Sequence, residues 1–349
     1  MSQGRGKLRV AMIGCGEIAV RTAEGIAAAA NAEHVMMMDV SETVASDLAQ
    51  RYHVPYTTNV DELLANPDVD AVYIAVPHYL HAPLAIQALR AGKHVLVEKP
   101  IATTLADADA MIDAARAAGK TLSVAFTAQI DPTVQRIRRL IQDGAIGKVL
   151  GTRIVYRASK PATYWRGGYS GRITTDWRIS KEKSGGGVLI MNAVHDLNTM
   201  RFLTGLEVRR IYAEYDTFTT PVEVEDYIAA VYRYDGGAIG TIEAGSAIPG
   251  RDPFGAYNRI YGERGQLIFS RPARIFVDQD FGDLKAGQWH ELPAERHPER
   301  QLMVEGFARA VLAGEQPPVR AEDGRAALEI IVAAYRSGRE HQAITLPLQ

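Results

Sequence analysis

The first 125 residues alternate between short apolar runs and Ala/Leu-rich stretches with helical spacing. Apolar strands that are separated by helices are typical of a parallel sheet covered by helices on both faces. We therefore predict a doubly wound α/β domain over residues 1–125. Its predicted strands span 8–13, 34–39, 71–76, 94–97 and 122–125.

Residues 126–349 follow a different pattern, in which turn residues join most of the apolar runs. Asp131 and Pro132 begin a predicted helix over 131–141, and Asp235-Gly236-Gly237 is a hairpin signal between two strands. We therefore predict an α+β domain with a large open, mostly antiparallel sheet, which binds substrate and forms oligomer contacts. Its predicted strands are 148–156, 208–215, 227–234, 238–244, 259–262 and 266–269, and predicted helices follow at 300–313 and 322–336.

An open sheet has one free face, and such a face often lies between copies of a chain. We predict a homo-oligomer, either a dimer or a tetramer. The alternative is that helices cover the free face.

Charge and cysteine usage exclude several classes of partner. Lys and Arg total 39 against 41 Asp and Glu, so no general attraction to nucleic acid or to an anionic membrane is expected. The single cysteine, Cys15, rules out an intrachain disulfide. The N-terminus runs directly into an apolar strand without a signal pattern, and no run of 18 apolar residues occurs. We predict a cytoplasmic protein with no membrane or nucleic-acid partner.

A glycine-rich turn follows the first strand and opens the first helix. It contains Gly14, Cys15, Gly16, Glu17, Ile18 and Ala19. The glycines permit a tight turn and let backbone N–H groups approach a pyrophosphate, and Asp39 ends the next strand at the position that contacts ribose hydroxyls. We predict a Rossmann dinucleotide site rather than a turn without a ligand.

The residues around Asp39 favour NAD over NADP. A 2′-phosphate would meet the Asp39 carboxylate, and residues 40–42 offer no arginine to compensate. Cys15 occupies a tolerant position of the turn, so we interpret it as structural rather than redox-active.

Two later segments should line the same crevice, because ligands of such sheets bind beyond the carboxyl ends of the strands. His78 and His81 are three residues apart, but no third metal ligand has suitable spacing. We therefore predict no metal, and a capping or ribose-contacting role for these histidines. The crevice residues are Val76, Pro77, His78, His81, Glu98 and Lys99.

Six stretches distributed along nearly the whole chain match the pattern of a known family. They are 14–19, 77–83, 91–100, 126–132, 144–147 and 185–187 leading to His195. On these stretches the sequence resembles the Gfo/Idh/MocA family, named after glucose–fructose oxidoreductase, inositol dehydrogenase and a rhizopine-catabolism protein. The resemblance implies NAD-dependent, reversible oxidation of a ring hydroxyl of a sugar, cyclitol or sugar acid.

The resemblance implies that Lys99 lies near the nicotinamide and substrate and that His195 exchanges the hydroxyl proton. It also adds Gln129 to the expected cofactor-binding residues. Physical chemistry supports both catalytic roles, because hydride departure requires a base on the carbinol oxygen and a cation can stabilise that oxygen. The alternatives are a surface lysine and a hydrogen-bonded core histidine.

Met191 departs from the family pattern, in which many relatives carry an aspartate four residues before the histidine. A methionine neither orients an imidazole nor accepts a proton. If the segment is α-helical, residues 191 and 192 lie one turn before His195 on the same face. Asn192 is then a candidate to hold substrate or His195.

The stretch 151–183 carries eight cations against two acidic residues, together with several aromatic residues. Aromatic faces suit a pyranose ring, and arginine suits a carboxylate or phosphate. We hypothesise a substrate with a negative group, such as a uronate, a sugar acid or a nucleotide sugar. The alternative is a surface loop or a segment that packs on a neighbouring subunit. The candidate substrate residues are Tyr156, Trp165, Arg166, Arg178, Met191 and Asn192.

Two other functional classes stay open at the level of sequence. One is an enzyme that retains NAD, either a glycosidase or a sugar–sugar oxidoreductase. The other is a non-catalytic NAD-dependent sensor, which the substitution at Met191 favours and the presence of Lys99 and His195 disfavours.

Overall fold

Two separate sheets organise the chain in the computed structural model, which describes residues 6–250, 257–293 and 297–348. The chain divides into two compact units. The first comprises Met1–Ile130, Pro161–Gly185 and Pro298–Leu328, and the second comprises Asp131–Lys160, Gly186–His297 and Glu329–Gln349.

The first unit contains a six-stranded parallel sheet with strand order β3-β2-β1-β4-β5-β6. The order reverses between β1 and β4, the place where open α/β sheets bind ligands. The strands are β1 (Leu8–Ile13), β2 (Ala32–Met38), β3 (Tyr56–Thr57), β4 (Ala71–Ile74), β5 (His94–Val97) and β6 (Leu122–Val124). The helices are α1 (Glu17–Ala28), α2 (Glu42–Tyr52), α3 (Val60–Ala65), α4 (His81–Arg90) and α5 (Leu105–Ala118), and 3₁₀ turns lie at His78–Leu80 and Thr127–Ile130.

The second unit contains a nine-stranded sheet with order β14-β13-β12-β11-β7-β10-β9-β8-β15. Its neighbouring strands run antiparallel except β7 and β10, which are parallel. The other helices are α6 (Pro132–Gln142), α7 (Tyr164–Gly167), α8 (Lys181–Ser184), α9 (Val194–Thr204), α10 (Glu299–Ala313) and α11 (Ala321–Glu340). The strands are β7 (Val149–Arg157), β8 (Val208–Asp216), β9 (Tyr227–Tyr234), β10 (Ile239–Gly245), β11 (Asn258–Gly262), β12 (Gly265–Phe269), β13 (Ala273–Val277), β14 (Gln288–Leu292) and β15 (Ile344–Thr345).

The core of the first unit lies between the sheet and helices α1, α2 and α10. Met12, Met37, Leu48 and Phe307 are almost fully buried there. A Cβ placed on Gly25 would lie 2.9 Å from the carbonyl carbon of Arg300, so a side chain at this position would separate α1 from α10. This close packing brings the start of α10 to the sheet, although α10 is more than 170 residues away from β6 in sequence.

The predicted fold class is confirmed by both sheets. The hairpin at Asp235 is also confirmed, since β9 and β10 pair in antiparallel register around it. Strands β3, β13, β14 and β15 were not predicted. Segments 161–185 and 298–328, which we expected in the second domain, belong to the first compact unit.

Among the described residues, none of the helices combines the length and apolar character needed to cross a membrane.

Candidate cofactor and catalytic site

The glycine-rich turn has a geometry that fits a dinucleotide. Gly14 has φ +93°, and a Cβ there would lie 2.5 Å from the carbonyl oxygen of Ala75, so any side chain would clash with the end of β4. Helix α1 starts at Glu17, and its N-cap residue, Gly16, provides no side-chain cap. Because Gly16 has no side chain to cap the helix, the first backbone N–H groups of this twelve-residue helix can donate to an anionic group such as a pyrophosphate.

Asp39 lies directly after β2 and is fixed against this turn. One carboxylate oxygen accepts a hydrogen bond from Cys15 N at 2.8 Å, and the other accepts one from Ser41 N at 2.9 Å. A carboxylate oxygen can accept more than one hydrogen bond, so both retain capacity for ribose hydroxyls. The arrangement suits the predicted contact between Asp39 and the adenosine ribose.

Cys15 is buried beneath the same turn. Burial, together with the charge of Asp39, raises the pKa of its thiol to about 12. The thiol therefore stays protonated at neutral pH, and its Sγ lies 3.5 Å from the carbonyl oxygen of Met38. A packing role is in keeping with both observations.

Glu98 follows β5 and is the centre of a buried hydrogen-bonded group. Its Oε1 accepts hydrogen bonds from Tyr73 and from Arg300 of α10, each at 2.5 Å. The same Arg300 nitrogen lies 2.5 Å from the hydroxyl of Thr22 in α1. Burial alone raises the pKa of Glu98, but the charges of Arg300 and Lys99 and the Tyr73 hydrogen bond outweigh it and hold this pKa at about 2.

Lys99 is half-buried next to this group. Its backbone N donates to Oε2 of Glu98 at 3.2 Å, and its charge lowers the pKa of both Glu98 and His78. The lysine is thus fixed at the carboxyl end of β5, beside β4 and the point where the strand order reverses.

His81 is fully buried and connects two loops of the crevice. Its Nδ1 lies 2.8 Å from the carbonyl oxygen of Pro100, and its Nε2 lies 3.0 Å from that of Val76. Each ring nitrogen faces a backbone carbonyl oxygen, and a neutral imidazole donates a hydrogen bond to one of the two. His81 braces the loops that follow β4 and β5.

His78 is buried in the loop that follows β4. Its Nδ1 lies 2.8 Å from the carbonyl oxygen of Ser184, and its ring centroid is 4.4 Å from that of Trp177. Burial and the charge of neighbouring groups lower its pKa well below the usual value, so the imidazole is neutral. In the described parts of the chain, no three His, Cys, Asp or Glu side chains are grouped to hold a metal ion.

The aromatic segment 161–185 belongs to the first unit. Trp165 is 5% exposed and packs edge-on against Tyr164, whereas Arg166 is exposed. Arg178 stacks on Trp177 and Tyr164, with its guanidinium carbon 4.5 Å and 5.0 Å from the two ring centroids. No carboxylate of the described residues forms an ion pair with Arg178.

The segment before His195 is a π-helical turn over Leu189–Ala193, in which Val194 N donates to the carbonyl oxygen of Leu189. The α-helical spacing that we assumed for residues 191–195 is therefore wrong. Met191 is buried, and Asn192 and His195 are half-buried. π-turns of this kind occur frequently at functional sites.

Glu225 holds the start of this turn and was missed by sequence analysis. Its carboxylate accepts hydrogen bonds from Gly187 N at 2.6 Å, Leu189 N at 2.9 Å and the hydroxyl of Tyr335 at 2.7 Å. Glycine is required at positions 186 and 187, because a Cβ would overlap Tyr335 and Glu225 respectively. No local sequence signal marks Glu225, since its partners are 36, 38 and 110 positions away.

The site residues expected from the sequence belong to both units. Those in the second unit are Tyr156 in β7, Met191, Asn192 and His195. Residues of the first unit are Gly14, Cys15, Gly16, Glu17, Ile18, Ala19, Asp39, Val76, Pro77, His78, His81, Glu98, Lys99, Gln129, Trp165, Arg166 and Arg178.

Known proteins resemble the chain over nearly its full length. It is 27% identical to myo-inositol 2-dehydrogenase of Thermotoga maritima over 97% of this chain and 98% of that protein. Levoglucosan dehydrogenase, solved with NADH and levoglucosan, has a TM-score of 0.85 and 25% identity over 98% of this chain and 100% of the other. An aldose–aldose oxidoreductase from Caulobacter crescentus, solved with glycerol, has a TM-score of 0.83 and 26% identity over 97% of this chain and 100% of the other.

Two family descriptions match the two parts of the chain. Residues 8–126 match the oxidoreductase family with an NAD-binding Rossmann fold, and residues 134–268 match the GFO/IDH/MocA C-terminal domain. The glycine-rich turn, the uncapped start of α1 and Asp39 supply the features that such a cofactor requires. The chain therefore belongs to the Gfo/Idh/MocA family and is an NAD-dependent oxidoreductase.

Proposed function

We propose that the enzyme reversibly oxidises a ring hydroxyl of a sugar, cyclitol or sugar acid, with Lys99 and His195 as its catalytic residues. The observation that supports this most is the fixed position of Lys99, at the carboxyl end of β5 in the NAD-binding unit. Myo-inositol 2-dehydrogenase and levoglucosan dehydrogenase, which resemble the chain, are named for cyclic polyol and sugar substrates.

The bound dinucleotide supplies the hydride acceptor. As the carbinol C–H bond breaks, the hydroxyl proton must leave the oxygen, and the imidazole of His195 accepts it. The ammonium group of Lys99 stabilises the negative charge that develops on that oxygen. In the reverse direction, His195 returns the proton while the carbonyl carbon accepts the hydride. Met191 takes no part in proton transfer, and Asn192 positions the substrate through its amide.

We further propose that the substrate carries a negative group that Arg178 binds. Arg178 is held between aromatic rings, and no described carboxylate neutralises it. A dinucleotide phosphate is the other anion that could occupy this arginine. Arg178→Gln separates the two: the substrate role predicts loss of the preference for acidic sugars, and the cofactor role predicts weaker NADH binding.

The direct test follows NADH formation at 340 nm with NAD and a panel of cyclitols, aldoses, uronates and nucleotide sugars. We expect activity with at least one class and its loss in both Lys99→Ala and His195→Ala, while calorimetry shows that both variants still bind NAD. Silence across the whole panel with NAD bound would overturn the proposal and favour an NAD-retaining glycosidase or a sensor. Equal turnover of neutral and acidic sugars would contradict the negative substrate group.

We also propose that the enzyme is a homo-oligomer, a dimer or a tetramer, assembled through the outer face of the nine-stranded sheet. Tyr212, Val231, Thr241 and Arg153 occupy paired positions across four neighbouring strands of this face. Val231 is 47% exposed and Ile239 is 46% exposed, which leaves apolar surface for a second copy. Sedimentation velocity should give a multiple of 38.1 kDa, and Val231→Glu should shift it towards the monomer. A monomeric wild-type enzyme would rule out this assembly.

The cytoplasmic location stays a prediction, supported by the unpaired state of the single cysteine.

A further inference from the structure

Arg172 connects segment 161–185 to the glycine-rich turn of the cofactor site. Its Nε donates to the carbonyl oxygen of Cys15 at 2.9 Å, and a terminal nitrogen donates to the carbonyl oxygen of Val44 in α2 at 3.2 Å. Its other terminal nitrogen lies 2.7 Å from the carboxylate of Asp47. The Arg172 side chain is only 19% exposed, so this arginine is embedded between the turn and α2.

Two neighbouring residues reinforce the same attachment. The backbone N of Tyr169 donates to a carboxylate oxygen of Glu17, in the first turn of α1, at 2.8 Å. The side chain of Ile173 packs against Gly16, where a Cβ would lie 3.6 Å from its terminal methyl group. The segment therefore contacts the turn, α1 and α2, which surround the adenosine and pyrophosphate part of a Rossmann site.

The other end of the segment is attached to the loop after β4. The carbonyl oxygen of Ser184 lies 2.8 Å from Nδ1 of His78, and Trp177 packs on the same imidazole. His78 follows β4, on the opposite side of the point where the strand order reverses. The segment is thus fastened on both sides of the crevice that the dinucleotide occupies.

We propose that residues 163–178 form a cover over the dinucleotide and that Arg172 is the positioning residue that keeps the cover closed. NAD enters and leaves only when the Arg172 contacts open, so the cover sets the rate of cofactor exchange. The partners of Arg172 are two backbone carbonyl groups and the Asp47 carboxylate, so closure depends on these contacts and requires no substrate.

The experiment measures NADH dissociation by stopped-flow fluorescence, with excess NAD as the displacing ligand and no substrate present. Arg172→Gln removes the charge and the ion pair, and Asp47→Asn removes only the carboxylate partner. We expect dissociation to be at least about tenfold faster in Arg172→Gln, which corresponds to the loss of one charge-assisted hydrogen bond. Asp47→Asn should give a smaller increase in the same direction.

Lys183→Gln is the matched control, because it removes a cation of the same segment whose ion pair with Asp176 is exposed. Its dissociation rate should equal that of the wild type. Wild-type rates in both Arg172→Gln and Asp47→Asn would overturn the proposal. An equal increase in Lys183→Gln would overturn it as well, because general loosening of the segment would then explain the effect. The readout is cofactor release alone, so it is independent of the assignment of Lys99 and His195.

Discussion

Glu98 shows how a single buried residue connects the fold to the site. It is ionised inside the first unit because Arg300 and Lys99 lie beside it and Tyr73 donates a hydrogen bond. Removal of one partner from a buried ion pair leaves an uncompensated charge, which costs more than the loss of an exposed pair. Arg300 therefore stabilises the carboxylate that fixes the backbone of Lys99.

Arg300→Gln should lower the free energy of unfolding at pH 7 by about 3 kcal/mol. In the wild type the folded-state pKa of Glu98 is about 2, below the ordinary value of 4.5. Its stabilisation is therefore complete above pH 4.5 and is lost as the pH falls towards 2. The variant should lose part of this acid-dependent contribution. Urea unfolding at several pH values measures both effects.

Arg274→Gln is the control for this prediction, because Arg274 pairs with Glu291 at 2.8 Å while both side chains are about half exposed. Its effect should stay below about 1 kcal/mol. A loss in Arg300→Gln no larger than in this control would show that the Glu98 network does not stabilise the fold.

At the residue scale, the sequence predicts only those parts of the site that are local. The glycines of the turn and Asp39 belong to one motif, so their roles could be expected from spacing. Arg172 contacts Cys15 from 157 positions away, and Arg300 contacts Glu98 from 202 positions away. No periodic pattern in the sequence marks either arginine. His81 was identified as a crevice residue, but its burial between two carbonyl groups depends on the loops around it.

At the scale of elements, the π-turn before α9 is the feature that most affects the site. One extra residue in this turn changes which side chains face the same direction as His195. Glu225 satisfies the N–H groups of Gly187 and Leu189 at the start of the turn. The carboxylate therefore holds the start of the turn that leads to His195.

Glu225→Gln should lower kcat about tenfold, because the amide has one acceptor oxygen and leaves a buried N–H group without a partner. The KM for NAD should not change, since Glu225 belongs to the second unit and the glycine-rich turn to the first. The pH dependence of kcat should also shift, because the variant changes the surroundings of the His195 imidazole. Steady-state kinetics across pH values checks all three expectations.

Glu329→Gln is a suitable control for Glu225, because Glu329 is another buried carboxylate of the second unit and accepts a hydrogen bond from Leu348 N at 3.0 Å. It should lower thermal stability without changing the pH profile. If both variants change only stability, Glu225 is structural and does not position His195.

The elements that were predicted are those with long, regular patterns. Strand β9 alternates buried and exposed residues over its whole length, whereas β3 and β15 contain two residues each and offer no period to detect. Strand β14 is mostly exposed, so its sequence lacks the apolar signal of a strand. The pattern of apolar residues does not distinguish a π-turn from an α-helix, so the sequence predicts an α-helix at residues 191–195.

At the scale of the whole molecule, the chain leaves and re-enters the first unit. Segments 161–185 and 298–328 join it from far along the sequence. Their contacts with the rest of the unit include single arginines, backbone groups, buried apolar side chains of α10 such as Phe307 and a close helix–helix approach at Gly25. Such contacts leave no change of composition at the ends of the two segments. The sequence therefore predicts a division at residue 125, but it does not predict that residues 161–185 and 298–328 return to the first unit.

The proposed reaction depends on hydride transfer from a carbinol carbon of the substrate to NAD. The most direct measurement incubates the enzyme and NAD with sugars and cyclitols deuterated at their ring carbons, and then determines the mass of the nicotinamide cofactor. We predict deuterium in the reduced cofactor with wild type and none with Lys99→Ala or His195→Ala. Turnover of the labelled substrate with no deuterium accumulating in the cofactor would contradict the account.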